Sequence, residues 1–467
     1  MKNNTNTTYY LAIDISPMTG RHLLGHVGER GIELEEVYRF NNRIKDNDGH
    51  LYWDVEYLFK EIKEGMKACY NQGKIPRSLS IDTWGVDYCL LDKENELIRN
   101  PFCFRDKRTA GMYDKIYTKI SEDDLYERTG TLRYDYNTIS QLLAHAQEFD
   151  HDLRETKTLL FLPDYLNFLL TGNIFCEYTI ASTSGLLNIK TNDWDYELIT
   201  KLGLPRRIFK ELSNPKTFVG RLKDEIVDEV MFQCEVVLCA SHDTASSVLS
   251  LPTKEENCLF INSGTFSYLG FETLRPYTDF KNRVAEFTNQ GGFDFKYLYL
   301  KNIPGFYILQ QVRKEMKLDM SHAEISEAAR NSKVNSTINL DDERFDTLED
   351  ISKKICEVCW EKGTEAPKTI GDYAKVIFES LAEHYNKSIK AIERNIERKF
   401  ESICIFGGGS NSRYLNELTA EKTGKTIIIG NPEASGLGNI MVQMLRNDYF
   451  ASLEAARDFI RGEGKIY

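Results

Sequence analysis

The chain has 467 residues, of which 41% are hydrophobic and 28% charged, and its formal net charge at pH 7 is −12. A chain of this length is too long for one hydrophobic core and predicts two or three domains. The acidic balance argues against a nucleic-acid-binding surface, which requires a concentrated basic face.

The start of the sequence, MKNNTNTTYY, is polar and lacks the apolar segment of a signal peptide. No later run approaches the roughly 18 apolar residues of a membrane span. The ten cysteines are scattered, several of them in apolar strands, which suits reduced thiols that pack as small hydrophobes. We therefore expect a cytoplasmic protein.

The first predicted elements form a hairpin in AIDISPMTGRHLL, residues 12–24. An apolar strand leads into a small polar turn that carries Gly20 and Arg21, and a second strand follows. Such a hairpin can hold an anion with its backbone N–H groups and small hydroxyl side chains. An ordinary surface hairpin is the alternative, because glycine-containing turns between strands are common.

Further strand-like runs follow in both halves of the chain: IELEEVYRF, SLSIDTWGVDYCLLD, EVVLCA, CLFINSGTFSYLGFE and KYLYLKN. The segment 110–175 is mainly helical, and a long amphipathic helix is predicted over 371–399. Seven apolar residues in that helix recur at spacings of three or four and form one core-facing stripe: Tyr373, Ile377, Leu381, Tyr385, Ile389, Ile392 and Ile396. The mixture predicts an α/β or α+β architecture.

Two glycine-containing segments extend the pattern of the first hairpin. Residues 259–272 repeat its form, with a turn of Ser263, Gly264 and Thr265 between two apolar strands, which suggests an ancient duplication. In ICIFGGGSNSRYLNEL an apolar strand runs into three glycines and then a helix, so a ligand can approach backbone that any Cβ would block.

Familiar nucleotide and metal motifs are excluded. TAEKTGKT ends like a Walker A loop, but Thr419 stands where that loop needs its first glycine, and FGGGSNS does not satisfy GxGxxG. Cys356 and Cys359 form a CxxC without a second one, in a run that predicts a helix, so neither a zinc nor a redox site is expected.

The segment LCASHDTASSVL is the strongest candidate for chemistry. A buried strand over 236–240 is followed by a helix that is predicted to begin near Asp243. Asp is a preferred helix N-cap, so a purely structural role is one interpretation. In the other, Asp243, flanked by His242 and Thr244, accepts the proton of a substrate hydroxyl as that oxygen attacks a γ-phosphoryl group. The helix start is expected to keep the carboxylate ionised.

The chain resembles the FGGY family of carbohydrate kinases along nearly its whole length. The segments that carry the resemblance are IDTWGVDYCLLD, FRDKRT, LPDYLNFLLTG, EYTIASTSGLLNI, ASHDTASS, NSGTFSYLGFE, LKNIPGFYILQ, FGGGSNSRYLNEL and EASGLGNI.

The resemblance implies an α/β fold of two actin-like, ribonuclease-H-like domains around an interdomain cleft. Residues 1–246 would form an N-terminal domain that binds the sugar and carries the first phosphate hairpin, and residues 247–467 a C-terminal domain that binds ATP. The implied reaction, in L-rhamnose catabolism, is ATP-dependent phosphorylation of L-rhamnulose at its C1 hydroxyl, giving L-rhamnulose 1-phosphate and ADP. The implied partners are the ketose and ATP, with no nucleic acid or membrane, and the implied assembly is a monomer or homodimer.

The resemblance also implies roles for individual residues, with Asp243 as the catalytic base. The ketose contacts are Gly85, His242, Thr244 and Asn302. The ATP contacts are Thr19, Gly20, Arg21, Thr265, Gln310 and Gly408. Mg²⁺ would be held largely by ATP phosphates and water, with Asp14 nearby as an outer-shell carboxylate. Structural alternatives stay open for three of them: Gly85 at a strand bend, Asn302 capping a turn and Gln310 as a solvated helix residue. Trp84 and Arg108 either line the sugar pocket or are a core tryptophan and an exposed arginine.

The first hairpin departs from the family pattern, which usually places a glycine two residues after the Asp. Here Asp14 is followed by Ile15, Ser16, Pro17, Met18 and Thr19. Pro17 has no N–H, and Ser16 lacks the freedom of glycine at positive φ, so the loop is stiffer and has one donor fewer. We therefore expect this loop to bind the γ-phosphate more weakly or in a rearranged way. Phe266, where the related sequences generally carry Trp, is a milder departure.

Two alternatives to this implied reaction remain open. One is a kinase for another ketose, of the L-fuculose or xylulose type. The other is a sugar-binding regulatory protein on the kinase fold with weak transfer, which the altered first loop favours and Asp243 disfavours, because sugar binding needs no general base.

Overall fold

A computed structural model describes residues 7–29, 31–253, 257–347, 349–461 and 465–466. The described residues form two compact units. Unit 1 comprises the residues up to Ser250 together with Glu272–Tyr299 and Ser435–Ile460, and unit 2 comprises Leu251–Phe271, Leu300–Ala434 and the residues from Arg461 onward. The domain boundary after residue 246 stays a prediction.

Strands and helices are mixed along both halves of the chain. Up to Ser250 they are β1 (Tyr9–Ile15), β2 (Thr19–Val27), β3 (Ile32–Asn41), β4 (Ile44–Asn47), β5 (His50–Trp53), α1 (Val55–Asn71), β6 (Pro76–Thr83), β7 (Tyr88–Leu91), α2 (Met112–Tyr117), α3 (Glu122–Thr129), α4 (Thr138–Glu148), α5 (Asp150–Glu155), β8 (Thr158–Phe161), α6 (Leu162–Thr171), β9 (Cys176–Glu177), α7 (Tyr178–Ala181), β10 (Leu187–Asn188), β11 (Asp193–Trp194), α8 (Tyr196–Leu202), β12 (Leu212–Ser213), β13 (Phe218–Arg221), α9 (Asp224–Val230), β14 (Glu235–Val237) and α10 (Asp243–Leu249). The remaining elements are β15 (Cys258–Ser263), β16 (Phe266–Thr273), α11 (Phe280–Val284), β17 (Thr288–Gly291), β18 (Tyr297–Pro304), α12 (Tyr307–Glu315), α13 (His322–Asn331), α14 (Ile351–Glu361), α15 (Ile370–Ile396), β19 (Ser402–Phe406), α16 (Arg413–Thr423), β20 (Thr426–Ile429), α17 (Ala434–Arg446), α18 (Leu453–Ile460) and β21 (Lys465–Ile466).

The main sheet of unit 1 has six strands in the order β13-β14-β6-β1-β2-β3. Its central strand β1 pairs antiparallel with β2 and parallel with β6. Most of β1 is buried, which explains why YYLAIDI is almost continuously apolar rather than alternating. Helix α1 packs in the same core through apolar residues three or four positions apart, and the Asp54 carboxylate caps its first turn.

The structure corrects the sequence prediction at two turns. Gly20 and Arg21 lie inside β2 rather than in the turn, which is formed by residues 16–18, because the pairing of β1 with β2 continues to Ile15 and Gly20. The predicted run SLSIDTWGVDYCLLD is two strands, β6 and β7, separated at Trp84–Asp87, where Val86 has a φ of 71°.

Unit 2 repeats the pairing pattern of unit 1. Strand β15 pairs antiparallel with β16 and parallel with β19, as β1 does with β2 and β6. The expected likeness of the two hairpins in form is therefore present.

None of the helices in the described part of the chain has the length and hydropathy that a membrane span requires.

The predicted long helix is α15, and all seven residues of its apolar stripe are buried. The helix begins at a capping box in which Thr369 and Asp372 bond each other's backbone N–H groups. The periodicity of the sequence identified the buried face of this helix.

Truncating the stripe is expected to destabilise the protein. Ile377→Ala removes a fully buried side chain and should lower the free energy of unfolding by about 2–4 kcal/mol, measured by urea-induced unfolding. Lys390→Ala, at an exposed position of the same helix, is the control and should change it by no more than about 0.5 kcal/mol. Equal effects of the two substitutions would contradict the assignment of the stripe to the core.

Candidate active site

Three aspartates of unit 1 come from neighbouring segments of its main sheet. The parallel register of β1 and β6 places Asp14 directly opposite Asp82. The next residue, Thr83, forms a bridge with His242, and its N–H donates to the Ser241 carbonyl at 2.9 Å. Asp243 follows at the start of α10. The fold therefore brings Asp14, Asp82 and Asp243 together, although they lie far apart in the sequence.

Asp243 is the first residue of α10, and His242 occupies the N-cap position. The hydroxyl of Thr244 donates a hydrogen bond to Asp243 Oδ1 at 3.1 Å. Burial raises the pKa of Asp243 from 3.8 to about 7, and the negative charge of Asp14 contributes to the rise. The helix start was expected to keep Asp243 ionised, but desolvation and the charge of Asp14 act in the opposite direction. A carboxyl with a pKa near neutrality suits a general base.

His242 is buried and neutral at physiological pH, because burial lowers its pKa to about 4. Its Nε2 lies 3.5 Å from Asp243 Oδ1, and its Nδ1 is buried without a hydrogen-bond partner among the described residues. A buried polar atom without a partner is costly unless a ligand or water supplies one. His242 therefore has a hydrogen-bonding atom available for a substrate beside Asp243.

Glu177 fixes the backbone that leads to Asp243, a role that the sequence analysis missed. Its Oε2 accepts hydrogen bonds from the N–H groups of Ile180 at 2.9 Å and Ser241 at 3.2 Å. The Thr179 hydroxyl donates to the same oxygen at 2.6 Å and accepts from the N–H of His242 at 3.3 Å. A glutamate among apolar residues in the segment EYTIASTSG was the available signal, because buried acids are rare unless they are paired.

Gly85 lies where a Cβ would meet the Thr183 side chain at 2.8 Å. Thr183 cannot easily move, because its hydroxyl oxygen accepts the N–H of Val86 at 3.0 Å. The turn is further held by Asp87, whose Oδ2 accepts from the indole N–H of Trp84 at 2.9 Å. Packing against Thr183 is therefore sufficient to require a glycine at position 85, independently of any contact with a sugar.

Trp84 and Arg108 are both buried. The Arg108 guanidinium donates to the backbone and side-chain oxygens of Gln141 at 3.0 and 2.9 Å and lies 4.0 Å from the centre of the Phe102 ring. The alternative of an exposed arginine is therefore wrong. Both side chains have internal partners that explain their conformations.

The turn of the first hairpin is organised by Ser16. Its Oγ accepts the N–H of Thr19 at 3.0 Å and that of Met18 at 3.3 Å, and donates to the Thr19 carbonyl at 2.9 Å. The N–H groups expected to face a phosphate are thus already bonded within the turn. Gly20 has a packing role, since a Cβ there would meet the Phe40 ring at 2.1 Å.

Arg21 and Asp14 are joined across the same hairpin. Arg21 Nη2 donates to Asp14 Oδ2 at 2.6 Å, and this oxygen also accepts the Ser435 hydroxyl at 2.6 Å. Because both bonds go to Oδ2, Oδ1 of Asp14 is engaged by neither. The ion pair reduces the negative charge of the aspartate cluster.

Three predicted ATP residues meet in unit 2. Thr265 is exposed in the turn between β15 and β16, and its carbonyl accepts the N–H of Tyr307 at the start of α12. Gln310 is exposed one turn further along that helix. Gly408 is open, with nothing within 4 Å of a Cβ, whereas a Cβ at Gly409 would meet Ser263 Oγ at 2.2 Å. The structure thus gathers Thr265, Gln310 and Gly408 around the second hairpin turn.

Asn302 lies on β18 of unit 2 and is half-buried. Its Oδ1 is buried and lacks a hydrogen-bond partner within the described ranges. The side chain does not cap a turn in this structure, so that alternative is wrong. The unsatisfied oxygen fits a role toward a polar ligand.

A resident metal site is absent from the part of the chain that the structure describes: no group of three or more His, Cys, Asp or Glu residues is arranged to hold an ion. The CxxC pair lies on α14, where Cys356 contacts the Tyr373 hydroxyl at 3.2 Å.

The available carboxylate oxygens of the aspartate cluster fit Mg²⁺ that arrives with a nucleotide, since this ion keeps several waters and needs few protein ligands.

The fold is that of solved kinases that act on xylulose and on glycerol. A xylulose kinase from Lactobacillus acidophilus aligns with a TM-score of 0.79 at 16% identity, over 98% of this chain and 93% of that one. Glycerol kinase from Plasmodium falciparum, solved with ADP, aligns with a TM-score of 0.81 at 15% identity, over 97% and 92% of the two chains. The expected α/β fold of two actin-like domains is confirmed.

Sequence comparison narrows the class to one family. Residues 9–250 match the N-terminal domain and residues 259–446 the C-terminal domain of the FGGY family of carbohydrate kinases. Curated relatives named rhamnulokinase include one from Halalkalibacterium halodurans, 38% identical over 97% of this chain and 96% of the relative, and one from Oceanobacillus iheyensis, 36% identical over 98% and 97%. The chain belongs to the FGGY family of carbohydrate kinases and is a sugar kinase.

The raised pKa of Asp243 predicts a pH-dependent effect of Asp243→Asn on stability. The pKa of Asp243 rises from 3.8 to about 7 on folding, so protonated Asp243 contributes stability that is fully present below pH 3.8. This contribution falls as the pH increases and is lost once the pH has risen through 7. The Asn variant cannot ionise, so its Tm should exceed that of the wild type by about 2 °C or more at about pH 8.5, and by less at about pH 5.

The measurement is differential scanning fluorimetry of both proteins without ligands. Because the result is the Tm difference between the two proteins at each pH, the titration of His242, which both proteins contain, cancels. Asp228→Asn, an exposed carboxylate on α9, is the matched control for the loss of one surface charge. A Tm difference that did not grow between the two pH values would contradict the raised pKa.

Proposed function

We propose that this chain is an ATP-dependent kinase that phosphorylates the C1 hydroxyl of L-rhamnulose. The observation that carries the proposal is Asp243, a carboxyl of near-neutral pKa beside a neutral His242 with an unsatisfied ring nitrogen. The choice of ketose is supported by relatives named rhamnulokinase that align along nearly the whole chain.

In the proposed reaction Asp243 accepts the proton of the C1 hydroxyl while that oxygen bonds to the γ-phosphorus of ATP. The bond between the γ-phosphorus and the bridging oxygen breaks, ADP leaves, and the protonated Asp243 later returns its proton to water. His242 Nδ1 and Asn302 Oδ1, which lack hydrogen-bond partners among the described residues, are proposed to bond sugar hydroxyls. Thr244 holds Asp243 by its hydroxyl, and Gly85 offers backbone to the sugar.

ATP is proposed to bind through Thr19, Gly20 and Arg21 of the first hairpin and through Thr265, Gln310 and Gly408. Magnesium, held by ATP phosphates and water with Asp14 in its outer shell, would neutralise charge on the transferred group. A catabolic sugar kinase of this kind acts in the cytoplasm, as a monomer or homodimer.

The turn at Ser16 favours a second candidate, a sugar-binding regulatory protein with weak transfer. The N–H groups of Met18 and Thr19 are bonded by Ser16 Oγ, so a phosphate has to compete for them. Asp243 argues against this candidate, because binding alone does not require a base.

Turnover by the purified protein decides between these functions. With MgATP and a panel of ketoses, ADP release should be fastest with L-rhamnulose. Asp243→Asn should lower kcat by about 1000-fold because the base is lost, while calorimetry still detects sugar binding. Asp228→Asn, a surface substitution of the same kind, should leave kcat unchanged.

Each other result has a distinct meaning. Faster turnover of L-fuculose or a xylulose would identify a different ketose kinase. Binding of L-rhamnulose without turnover of any sugar would establish the regulatory candidate. An unchanged kcat in Asp243→Asn would show that Asp243 is not the base, while the kinase activity itself would stand.

Removing the Ser16 hydroxyl is expected to improve ATP binding. Ser16→Ala frees the N–H groups of Met18 and Thr19 without adding the flexibility of glycine, so the KM for MgATP should fall about two- to fivefold and that for the ketose should not change. Steady-state kinetics of both substrates measure this. Met18→Ala, in the same turn and with an exposed side chain, is the control. A rise in the KM for MgATP would mean that the hydroxyl shapes the phosphate site rather than blocking it.

A further inference from the structure

Helix α17 carries the segment EASGLGNI, which takes part in the family resemblance but has no role in the function proposed above. Ser435, Asn439 and Gln443 recur every fourth residue and so share one face of the helix. Asn439 and Gln443 are fully buried in a helix whose other buried residues are mainly apolar. Buried amides in such a helix call for specific partners.

Those partners are the aspartates of the candidate active site and the strands that carry them. The Ser435 hydroxyl donates to Asp14 Oδ2, and Asn439 Nδ2 donates to Asp82 Oδ2, each at 2.6 Å. Gln443 Nε2 donates to Asn439 Oδ1 at 2.8 Å and to the Leu11 carbonyl of β1 at 2.9 Å. Its Oε1 accepts the Ser78 hydroxyl of β6 at 2.7 Å. The polar face of α17 thus follows β1 and β6 up to their aspartates.

Two glycines allow α17 to approach closely. A Cβ at Gly436 would meet Leu23 of β2 at 2.3 Å, and a Cβ at Gly438 would meet the Ser246 carbonyl of α10 at 1.8 Å. The second contact is with the helix that begins at Asp243. No side chain larger than hydrogen fits at either position without moving backbone or a core side chain.

Asp82 depends on this helix more than its neighbours do. It is completely buried, and its Oδ1 has no hydrogen-bond partner among the residues that the structure describes. Asn439 supplies the donor to the other oxygen. Since a buried carboxylate needs donors, and Asp14 and Asp243 repel it, loss of Asn439 leaves the Asp82 carboxylate without a side-chain donor among the residues described.

We propose that α17 is a positioning element of the active site, in which Ser435 and Asn439 fix Asp14 and Asp82 beside Asp243. Gln443 holds Asn439 in the orientation that donates to Asp82. The three aspartates thereby keep a single arrangement while phosphoryl transfer occurs. This inference rests on the proposed kinase function, since it is the transfer step that the arrangement serves.

The test compares Asn439→Leu, Ser435→Ala and the exchange Asp82→Asn with Asn439→Asp. Asn439→Leu should lower kcat about 10- to 100-fold with both KM values changed less than about threefold, because substrates still bind but the aspartates are misplaced. The exchange variant restores a hydrogen bond between the two positions with reversed polarity, so it should regain the Tm of the wild type without regaining kcat. Asn71→Leu, at the exposed last residue of α1, is the matched control and should keep the wild-type kcat.

Each outcome decides the proposal. A folded Asn439→Leu with kcat within about threefold of wild type would overturn it. Recovery of both Tm and kcat in the exchange variant would also overturn it, because a carboxylate at position 82 would then not be needed beside Asp243. If Asn439→Leu does not fold, Ser435→Ala, at a half-buried position, provides the test and should lower kcat about tenfold or more. Absence of turnover by the wild type with every ketose would instead refute the proposed function, and this inference with it.

Discussion

Mutual repulsion of Asp14, Asp82 and Asp243 is the constraint that the contacts around the candidate active site oppose. Burial raises the pKa of Asp82 well above its ordinary value, and the charges of Asp14 and Asp243 raise it further. The cluster therefore binds protons more readily than isolated carboxyl groups do. Arg21 and Asn439 oppose the repulsion with a charge and a hydrogen bond. A cluster of this kind costs stability, which is common where a site is built for reaction rather than for packing.

The segments around the cluster are held by other buried acids. Glu177 accepts the N–H of Ser241, and Asp87 accepts the indole N–H groups of Trp53 and Trp84. Ser241 and Trp84 lie in segments without regular secondary structure, so these bonds fix backbone that no strand or helix holds. The backbone on either side of Gly85 and before Asp243 is consequently set before any substrate arrives. Such preorganisation is what phosphoryl transfer requires of a protein, since its contribution is mainly positioning and electrostatics.

The sequence was sufficient to predict features with a local or periodic signal. The strand of YYLAIDI, the stripe of α15 and the two hairpins were all predicted. Asp243 was a candidate because a strand ends and a helix begins within a few residues, whereas its role as the base came from the family resemblance and stays a prediction. Asp82 and α17 were missed because their significance lies in contacts across 357 to 421 residues of chain, which no pattern in a single sequence reveals. The one available signal was polar residues in apolar elements, such as Asp82 in SLSIDT and Asn439 in GLGNIMVQ.

The two hairpins show why similarity of form does not predict the chemistry of a turn. Their strands pair in the same way, but in unit 2 the carbonyls of Gly264 and Thr265 are bound by N–H groups at the start of α12. In unit 1 the turn is closed internally by Ser16, which uses its hydroxyl where the family usually has a glycine. The register of a hairpin follows from its strands, whereas the direction of its free N–H groups follows from the turn residues. The departure at Ser16 therefore affects the donors of the loop while leaving Asp14 and Arg21, which are set by the register of β1 and β2, in place.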